Sequence, residues 1–216
     1  MGEKVSGRLH GSRRGARRPA VPGRAPGFTL IELMIGVVVA AILLAVAVPS
    51  FESTINGSRL AAASNELLAS LQTARMEAIR YNHRTAVCLS RNAQLAAPTC
   101  APANATDATG WITFVDVNSN GTYQAASDTL LRQSTVPPKV RVLPSANVPS
   151  RVRVTYNADG FARNNAASAM MSARIDVCLP TNRPIENVRR IEFGHGSRLA
   201  IERVDTNGAC NSPGNP

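Results

Sequence analysis

The most prominent pattern in the chain is an apolar run over residues 30–48, which carries a single charge, Glu32, and ends at Pro49. A helix of this length would be roughly 28 Å long, about the thickness of the hydrocarbon core of a bilayer. After Pro49, leucine and alanine recur at steps of three and four residues, at Leu60, Leu67, Leu71, Ala74, Ala78 and Tyr81, joined by Leu68 and Ile79. This spacing is typical of an amphipathic helix. We therefore predict one long helix over about 28–82, bent at Pro49 and with a second weak point at Asn56-Gly57.

Beyond Tyr81 the pattern changes to short runs rich in β-branched and aromatic residues, separated by Pro, Gly, Asn and Asp. Such runs are typical of strands. Eight strands are predicted, over residues 85–90, 111–115, 129–134, 140–143, 152–156, 174–178, 188–193 and 199–204. Residues 96–110 and 205–216 lack the pattern and are predicted to be a loop and an irregular tail. The fold class is therefore α+β, with the helix first and the strands after it.

A basic leader precedes the apolar run. Residues 1–27 hold one acid and seven basic residues, namely Lys4, Arg8, Arg13, Arg14, Arg17, Arg18 and Arg24. Positive flanks of a membrane segment stay cytoplasmic, so the rest of the chain is predicted to lie outside. The leader supplies +6 of the net charge of +10 (7 − 1 = 6) and leaves about +4 for the remainder. The high pI of 10.7 is therefore no evidence by itself for a nucleic-acid partner.

The boundary between leader and apolar run carries a family resemblance. Residues 27–33, Gly-Phe-Thr-Leu-Ile-Glu-Leu, resemble the cleavage and methylation signature of type IV pilins and type II secretion pseudopilins. The resemblance implies that prepilin peptidase cuts between Gly27 and Phe28 and methylates the new Phe28 amine. It also implies that Glu32, fifth in the mature chain, matches the glutamate of the family.

A lone carboxylate in a membrane segment is costly and usually has a nearby partner. The amine of Phe28 in an adjacent subunit would be such a partner for Glu32, and the pair would set the axial register of a helical assembly. The simpler alternative is that Glu32 lies at the cytoplasmic interface and makes no specific contact. Two export alternatives also exist: cleavage by signal peptidase after Ala45-Val46-Ala47, and a twin-arginine signal at Arg13-Arg14. A charge inside the apolar region, the long leader and a poor match after Arg14 count against both.

The order of elements extends the resemblance over most of the chain. Four segments follow one another as in the GspH/FimT group of minor pseudopilins and minor pilins: 87–90 (Val-Cys-Leu-Ser), 110–116 (Gly-Trp-Ile-Thr-Phe-Val-Asp), 156–161 (Tyr-Asn-Ala-Asp-Gly-Phe) and 175–178 (Ile-Asp-Val-Cys). The resemblance implies a pilin-like fold, in which the N-terminal helix packs on an antiparallel β-sandwich-like domain.

The same resemblance implies a domain plan and a set of partners. The plan is a cytoplasmic leader over 1–27, a transmembrane and assembly helix over 28–49, an amphipathic helix over 50–82 and a β-rich periplasmic domain over 83–216. The chain would be a single-pass protein of the bacterial inner membrane and a minor subunit at or near the tip of a filament. Its partners would be other pilins or pseudopilins, prepilin peptidase and the inner-membrane assembly platform, with secreted cargo or DNA as further candidates.

The four cysteines are Cys88, Cys100, Cys178 and Cys210. No Cys-x-x-Cys spacing occurs, which counts against a zinc site. An exported location permits disulfides, and the simplest pairing is sequential, Cys88 with Cys100 and Cys178 with Cys210. Two other connectivities, and a fully reduced state, remain open.

Few residues point to catalysis. The histidines are His10, His83 and His195, and no Ser-His-Asp order or Cys-His pair suggests a nucleophile. We therefore expect no enzyme activity and no cofactor, and we interpret His195, between two glycines, as an exposed turn residue. Asp116, Asn118 and Asn120, followed by Gly121, imitate the start of a calcium loop. The twelfth position of that loop is Ser127 instead of Glu, however, so a simple Asx turn is the favoured interpretation.

The C-terminal part of the chain is basic, with 11 basic residues against six acids from Lys139 onward. Arg151 and Arg153 are predicted to share one face of a strand, and a second group near the tail comprises Arg189, Arg190, Arg198 and Arg203. Some FimT-type minor pilins bind DNA through a C-terminal Gly-Arg-x-Arg motif. The nearest stretch here is residues 196–199, Gly-Ser-Arg-Leu, in which Ser and Leu replace the two arginines. The alternative is a solvated, salt-bridged strand face, since Glu186, Glu192, Glu202 and Asp205 lie among these arginines.

Overall fold

The computed structural model describes residues 27–164 and 169–216. These residues form a long helix, α1 (Leu30–Tyr81), followed by strands and two short 3-10 turns, Pro149–Arg151 and His195–Ser197. The strands are β1 (Arg84–Ser90), β2 (Gly110–Asp116), β3 (Thr129–Thr135), β4 (Arg141–Pro144), β5 (Arg153–Tyr156), β6 (Ala173–Cys178), β7 (Val188–Phe193) and β8 (Leu199–Val204). The predicted helix and all eight predicted strands are confirmed.

The chain divides into two units, residues 1–43 and 44–216. The described part of the first unit, residues 27–43, is helical from Leu30. The second unit contains the rest of α1 and all the strands. The helix assignment continues through Asn56 and Gly57, so the weak point predicted there does not interrupt α1.

The strands form two antiparallel sheets of four strands each, in the orders β3-β2-β1-β5 and β4-β6-β7-β8. Most neighbours are consecutive in the chain. The exceptions are β5, which returns to pair with β1, and β4, which pairs with β6. The return of β5 places Arg153 opposite Cys88 and Thr155 opposite Ala86.

The main apolar core lies between the second part of α1 and the two sheets. Leu60, Leu67 and Leu71 of α1 are buried in one cluster with Trp111 of β2 and Phe193 of β7. The helix therefore covers one face of both sheets. This arrangement confirms the prediction that the leucine stripe after Pro49 packs on a β-rich domain.

Three members of the predicted stripe are not in the core. Leu68 is half-buried, and Ile79 and Tyr81 are exposed. Ile79 lies about 80° from Leu71 at 100° per residue, on the side away from most buried residues, and Tyr81 is the last residue of the helix. Small residues that were not predicted to be core, such as Ser64 and Ser70, are buried instead. The helix thus approaches the sheets through a narrow stripe of leucine, alanine and serine.

Polar contacts fix α1 against the first sheet. The indole Nε1–H of Trp111 donates to Ser70 Oγ at 2.9 Å, and both residues are fully buried. Glu66 accepts hydrogen bonds from Arg132 Nε at 3.0 Å, from Arg132 Nη2 at 2.8 Å and from Ser134 Oγ at 2.6 Å. Since Arg132 and Ser134 lie on edge strand β3, this cluster ties the helix to the margin of the sheet.

The structure contains the disulfides Cys88–Cys100 and Cys178–Cys210, which is the sequential pairing. Each lies in a small apolar cluster separate from the main core. Side chains alternate along a strand, so Cys88 and Cys178 point away from the face that α1 covers. The first disulfide therefore holds the loop after β1 on its sheet, and the second holds the C-terminal tail.

Candidate processing and assembly site

The start of α1 is fixed by its own sequence. Thr29 precedes the helix, and its Oγ1 accepts a hydrogen bond from the backbone N–H of Glu32 at 3.2 Å. Its carbonyl oxygen accepts one from Leu33 N–H at 3.1 Å. Thr-x-x-Glu at a helix start is a capping box, in which the threonine satisfies a backbone donor that the helix leaves unpaired. The Thr29-x-x-Glu32 signal is present in the sequence and could have predicted this helix start.

The Gly27–Phe28 bond lies just outside this capped helix. Gly27 and Phe28 have extended or irregular backbone, and Phe28 is 84% exposed. A backbone segment that is exposed and outside regular structure can enter the cleft of a peptidase without unfolding of the helix. The geometry therefore leaves the predicted cleavage bond accessible.

Glu32 lies one helical turn beyond Phe28. Both residues border a shallow groove along the helix, together with Leu33, Gly36 and Ala40. The small side chains of Gly36 and Ala40 leave this face open. The segment 27–43 contains no Lys, Arg or His, so a cationic partner for the exposed Glu32 carboxylate has to come from outside these side chains.

The remainder of this segment presents apolar side chains on all sides. An 18-residue window within α1 has a mean hydropathy of 2.8, and none of that window is buried. Leu30, Ile31 and Leu43 are among the exposed apolar residues. An apolar helix of this length without a protein partner can be covered by lipid or by similar helices. The N-terminal segment is thus suited to a single membrane crossing and to helix packing.

The arginines of the C-terminal group do not form one surface. Arg189 is only 7% exposed, and its Nη1 donates to the carbonyl oxygens of Glu186 and Val188 at 2.9 and 3.2 Å. Burial, and then the like charge of Arg203, lower the pKa of Arg189. Arg189 is thus unavailable to a surface ligand. The prediction that it could contact DNA is therefore wrong. Alternation along β7 puts it on the same face as buried Ile191.

Arg190 points to the opposite face of β7 and is engaged by β6. Its Nε and Nη2 donate to the two carboxylate oxygens of Asp176 at 2.8 and 2.9 Å. These hydrogen bonds raise the pKa of Arg190. On the same face, Arg174 Nε donates to Glu192 at 3.0 Å. This face carries the salt bridges that the alternative interpretation predicted.

Arg198 and Arg203 are exposed. Arg198 directly precedes β8 and Arg203 lies near its end, five residues further on, which corresponds to about 17 Å along an extended strand. Between them lies the exposed Glu202. A single anionic group therefore cannot contact both arginines.

The segment that resembles Gly-Arg-x-Arg forms a tight turn anchored to the fold. Ser197, which stands at the first arginine position, is buried. Its Oγ accepts from Ala162 N–H at 2.8 Å, and its carbonyl oxygen accepts from Arg75 Nη1 at 3.3 Å. His195, in the same turn, is exposed, as predicted. The turn thus directs one residue of the segment inward and leaves Arg198 as its surface cation.

Arg151 and Arg153 do not share a strand, which corrects the sequence prediction. Arg151 ends the 3-10 turn Pro149–Arg151 and is exposed, whereas Arg153 begins β5 and is half-buried. The backbone of Arg151 has a φ of 53°, so the alternation expected of a strand is already lost at this residue.

Asp116, Asn118 and Asn120 form a turn held by their own side chains. Asp116 Oδ2 accepts from Gly121 N–H at 2.9 Å, Asn118 Oδ1 from Asn120 N–H at 3.1 Å, and Asn120 Oδ1 from Thr122 N–H at 2.7 Å. The contacts of Asn118 and Asn120 are Asx-type contacts to the backbone two residues on, as the favoured interpretation predicted, and Asp116 closes the turn from five residues before Gly121. Within the described ranges, no group of three or more His, Cys, Asp and Glu side chains is arranged to hold a metal ion.

An exposed apolar N-terminal helix with a capped start, joined to a domain of two antiparallel sheets, defines the class of pilin-like proteins anchored by a single N-terminal segment. Two family models match the chain. Residues 63–195 match the model described as type II transport protein GspH, and residues 24–48 match the prokaryotic N-terminal methylation motif. The chain therefore belongs to the GspH family of pilin-like proteins.

Two solved structures are similar to part of this chain. Two crystal structures of the type IV minor pilin FimU of Pseudomonas aeruginosa (strain PAO1), in space groups P21 and P65, are 15% and 17% identical to this chain. The matches cover 67% and 66% of this chain and 89% and 92% of the FimU chains, each with a TM-score of 0.45. Among curated proteins, no sequence matches significantly.

Proposed function

We propose that this protein is a minor structural subunit of a type II secretion pseudopilus or a type IV pilus, and that it works without catalysis. The observation that carries the proposal is the exposed Gly27–Phe28 bond directly before a capped apolar helix, in a chain that belongs to the GspH family. The subunit is stored in the bacterial inner membrane through residues 30–48. It then enters a filament through the same helix.

Processing by prepilin peptidase comes first in this proposal. The enzyme cuts between Gly27 and Phe28 and methylates the Phe28 amine. The match of residues 24–48 to the methylation motif supports this step. The accessible position of the bond outside α1 supports it as well.

The domain that follows the span faces the periplasm. The leader carries +6 and favours the cytoplasmic side. Two disulfides support an oxidising location for residues 83–216, since disulfides persist in the periplasm and are rare in the cytosol. From this position, at or near the filament tip, the domain presents its surface to cargo or to the outer-membrane channel.

Glu32 pairs with the Phe28 amine of a neighbouring subunit and sets the axial register. The support is that Glu32 is exposed in a segment without basic side chains, where an uncompensated carboxylate would be costly in lipid. The inner-membrane assembly platform and other pilins are the partners in this step.

The first test is the N-terminus and intact mass of the protein isolated from its native membrane. We expect a chain that begins at methylated Phe28 and whose mass is four hydrogens below that of the reduced form. A chain that begins at Val48, or an unprocessed Met1, would remove the basis of the assembly proposal and favour an exported protein.

The second test concerns register. Glu32→Gln removes the charge and keeps the shape, and we expect it to reduce copurification with other pilins. Glu77→Gln removes one charge from α1 in the second unit, where Glu77 pairs with Arg80, and serves as the matched control. If both variants assemble like the wild type, Glu32 has no register role.

DNA binding by a FimT-type mechanism is the alternative function. Of the four arginines considered for it, Arg198 and Arg203 are the exposed ones, so the alternative depends on them. It predicts affinity for double-stranded DNA that is strongest at low salt and that falls in Arg198→Gln. Absence of binding at low salt would exclude it.

A further inference from the structure

A small polar cavity lies on the first sheet, on the face opposite α1. It has a volume of about 70 Å³, and its lining includes Arg84, Arg153, Arg163, Thr155 and Asn157. Arg153 and Thr155 are cross-strand neighbours of Cys88 and Ala86, which belong to the outer apolar cluster. Three arginines therefore converge on one cavity, and no carboxylate is among the residues that line it.

The positive charge of this cavity is only partly balanced. Arg163 forms an ion pair with Asp159. Arg84 Nη2 lies 4.0 Å from Asp116 Oδ2, at the limit of a salt bridge. Arg153 has no ion pair with any described carboxylate. Burial, and then the like charge of Arg84, lower the pKa of Arg153, and the weaker opposite effect of the Asp116 carboxylate does not cancel them. A bound anion would relieve this repulsion and balance the remaining charge.

The guanidinium groups of Arg84 and Arg153 are held in place by the turn after β2. Arg84 Nη1 donates to Ser119 O at 2.9 Å, and Arg153 Nη1 donates to Gly121 O. Gly121 has a φ of +75°, and a Cβ atom there would lie 2.7 Å from Arg153 Cζ. The absence of a side chain at this position therefore leaves room for the guanidinium group. Both arginines are thus oriented before any ligand arrives, which reduces the entropy lost on binding.

Hydrogen-bond donors of these two arginines remain unused. The Nε atoms of Arg84 and Arg153 are buried and have no hydrogen-bond partner in the described part of the chain. A buried donor without a partner is unfavourable, so the two guanidinium groups are not saturated by contacts within the protein. Arg84 and Arg153 line the cavity, and a charge-assisted bond to an oxyanion is among the strongest that proteins make. Arginine is also the side chain whose planar fork matches phosphate geometry.

We propose that this cavity binds a single tetrahedral oxyanion of the phosphate or sulfate class. Arg84 and Arg153 supply the charged donors, and the hydroxyl of Thr155, which lines the cavity, supplies a neutral one. The ligand is either a free oxyanion or one phosphodiester of a polynucleotide, because both present the same oxygen geometry. The site is independent of the assembly role proposed above, since none of its residues lies in the N-terminal segment.

The test uses the full-length protein in detergent and inorganic phosphate as the probe. Ionic strength is held constant with chloride, and unfolding is followed by the fluorescence of Trp111, the single tryptophan. At about five times its Kd, phosphate should raise the Tm by about 2–4 °C. Arg153→Gln should weaken binding at least about tenfold, since a charge-assisted hydrogen bond is lost. Arg141→Gln, at an exposed position on β4, is the matched control and should keep the wild-type response.

A second pair of variants leaves the contacts of the arginines with the turn unchanged. Asn157→Asp adds a negative charge to the lining and should weaken phosphate binding, whereas Asn211→Asp adds the same charge to the exposed tail and should not. If Arg153→Gln fails to fold, this pair of variants still tests whether the cavity binds phosphate. Equal Tm values in phosphate and chloride, or equal responses of Asn157→Asp and Asn211→Asp, would overturn the proposal.

A competition experiment distinguishes the two sources of the oxyanion. If a short single-stranded DNA oligonucleotide displaces phosphate from the wild type but has no effect on Arg153→Gln, the site takes a phosphodiester. If the oligonucleotide does not compete, the site takes a free oxyanion.

Discussion

The contact between Ser70 and Trp111 provides a sharp test of how α1 is held on the first sheet. In Ser70→Ala the indole N–H of Trp111 loses its acceptor, since Ser70 Oγ at 2.9 Å is its hydrogen-bond partner and both side chains are fully buried. A buried donor that is left without an acceptor costs about 1–3 kcal/mol. The higher helix propensity of alanine offsets roughly 0.5 kcal/mol of this. We therefore expect Ser70→Ala to lower the free energy of unfolding by about 1–2 kcal/mol.

Ser64→Ala is the matched control. Ser64 is also buried on α1, but its Oγ donates only to the backbone oxygen of Ala61. Removal of this hydroxyl therefore leaves no donor of another element without an acceptor. We expect Ser64→Ala to be neutral or slightly stabilising, because serine that bonds back to its own helix contributes little to helix stability.

The assay is denaturant unfolding of the full-length protein in detergent, followed by the fluorescence of Trp111. As the single tryptophan, Trp111 reports on the second unit alone. Thermal unfolding gives a second readout, at about 2–4 °C per kcal/mol for a unit of this size. If the unfolding free energies of Ser70→Ala and Ser64→Ala differ by less than about 0.5 kcal/mol, the hydrogen bond from Trp111 to Ser70 does not hold the helix on the sheet.

Two further predictions concern stability. Replacing Cys178 and Cys210 by serine should lower the free energy of unfolding by about 1 kcal/mol more than replacing Cys88 and Cys100. The reason is that the disulfide with a separation of 32 residues, against 12, removes more chain entropy from the unfolded state. Denaturant midpoints measure this difference, and the reverse order would contradict it. Burial raises the pKa of the Tyr156 phenol above its unfolded value near 10. The contribution of the protonated phenol to the free energy of unfolding is therefore fully present below that pH. It is lost as pH rises, by up to about 1.4 kcal/mol per pH unit. Tyr156→Phe should flatten the decline of the unfolding free energy above about pH 10, and an unchanged decline there would refute this assignment.

The sequence predicted the elements of the fold well because their periodicities are local. The helix and the eight strands follow from steps of 3.6 and two residues, which a single segment displays by itself. The sheet order was not predictable in the same way. Pairing of β5 with β1 depends on contacts between distant segments, and nothing within either strand specifies its neighbour.

For the candidate sites too, residues within one continuous segment were predictable and residues brought together by folding were not. The residues around Gly27 and Glu32 could be identified because they form one continuous motif. Arg189 was misjudged because a count of charges ignores direction, although alternation with Ile191 already placed its side chain on the core face. The cavity at Arg84 and Arg153 had no sequence signal, since these arginines meet only after β5 has paired with β1.

If the chain is cleaved as proposed, the cap at Thr29 would separate maturation of the N-terminus from folding of the helix. Both described hydrogen bonds that start α1 lie on the mature side of the Gly27–Phe28 bond, so the precursor and the cleaved chain can share one helix start. Cleavage there would change charge instead of structure, because it places a new ammonium group beside the positive end of the helix dipole. In an assembled filament, the carboxylate of Glu32 from a neighbouring subunit would offset that charge. Maturation would then act as an electrostatic switch on an unchanged scaffold, and a membrane pool of precursor would need no refolding before assembly.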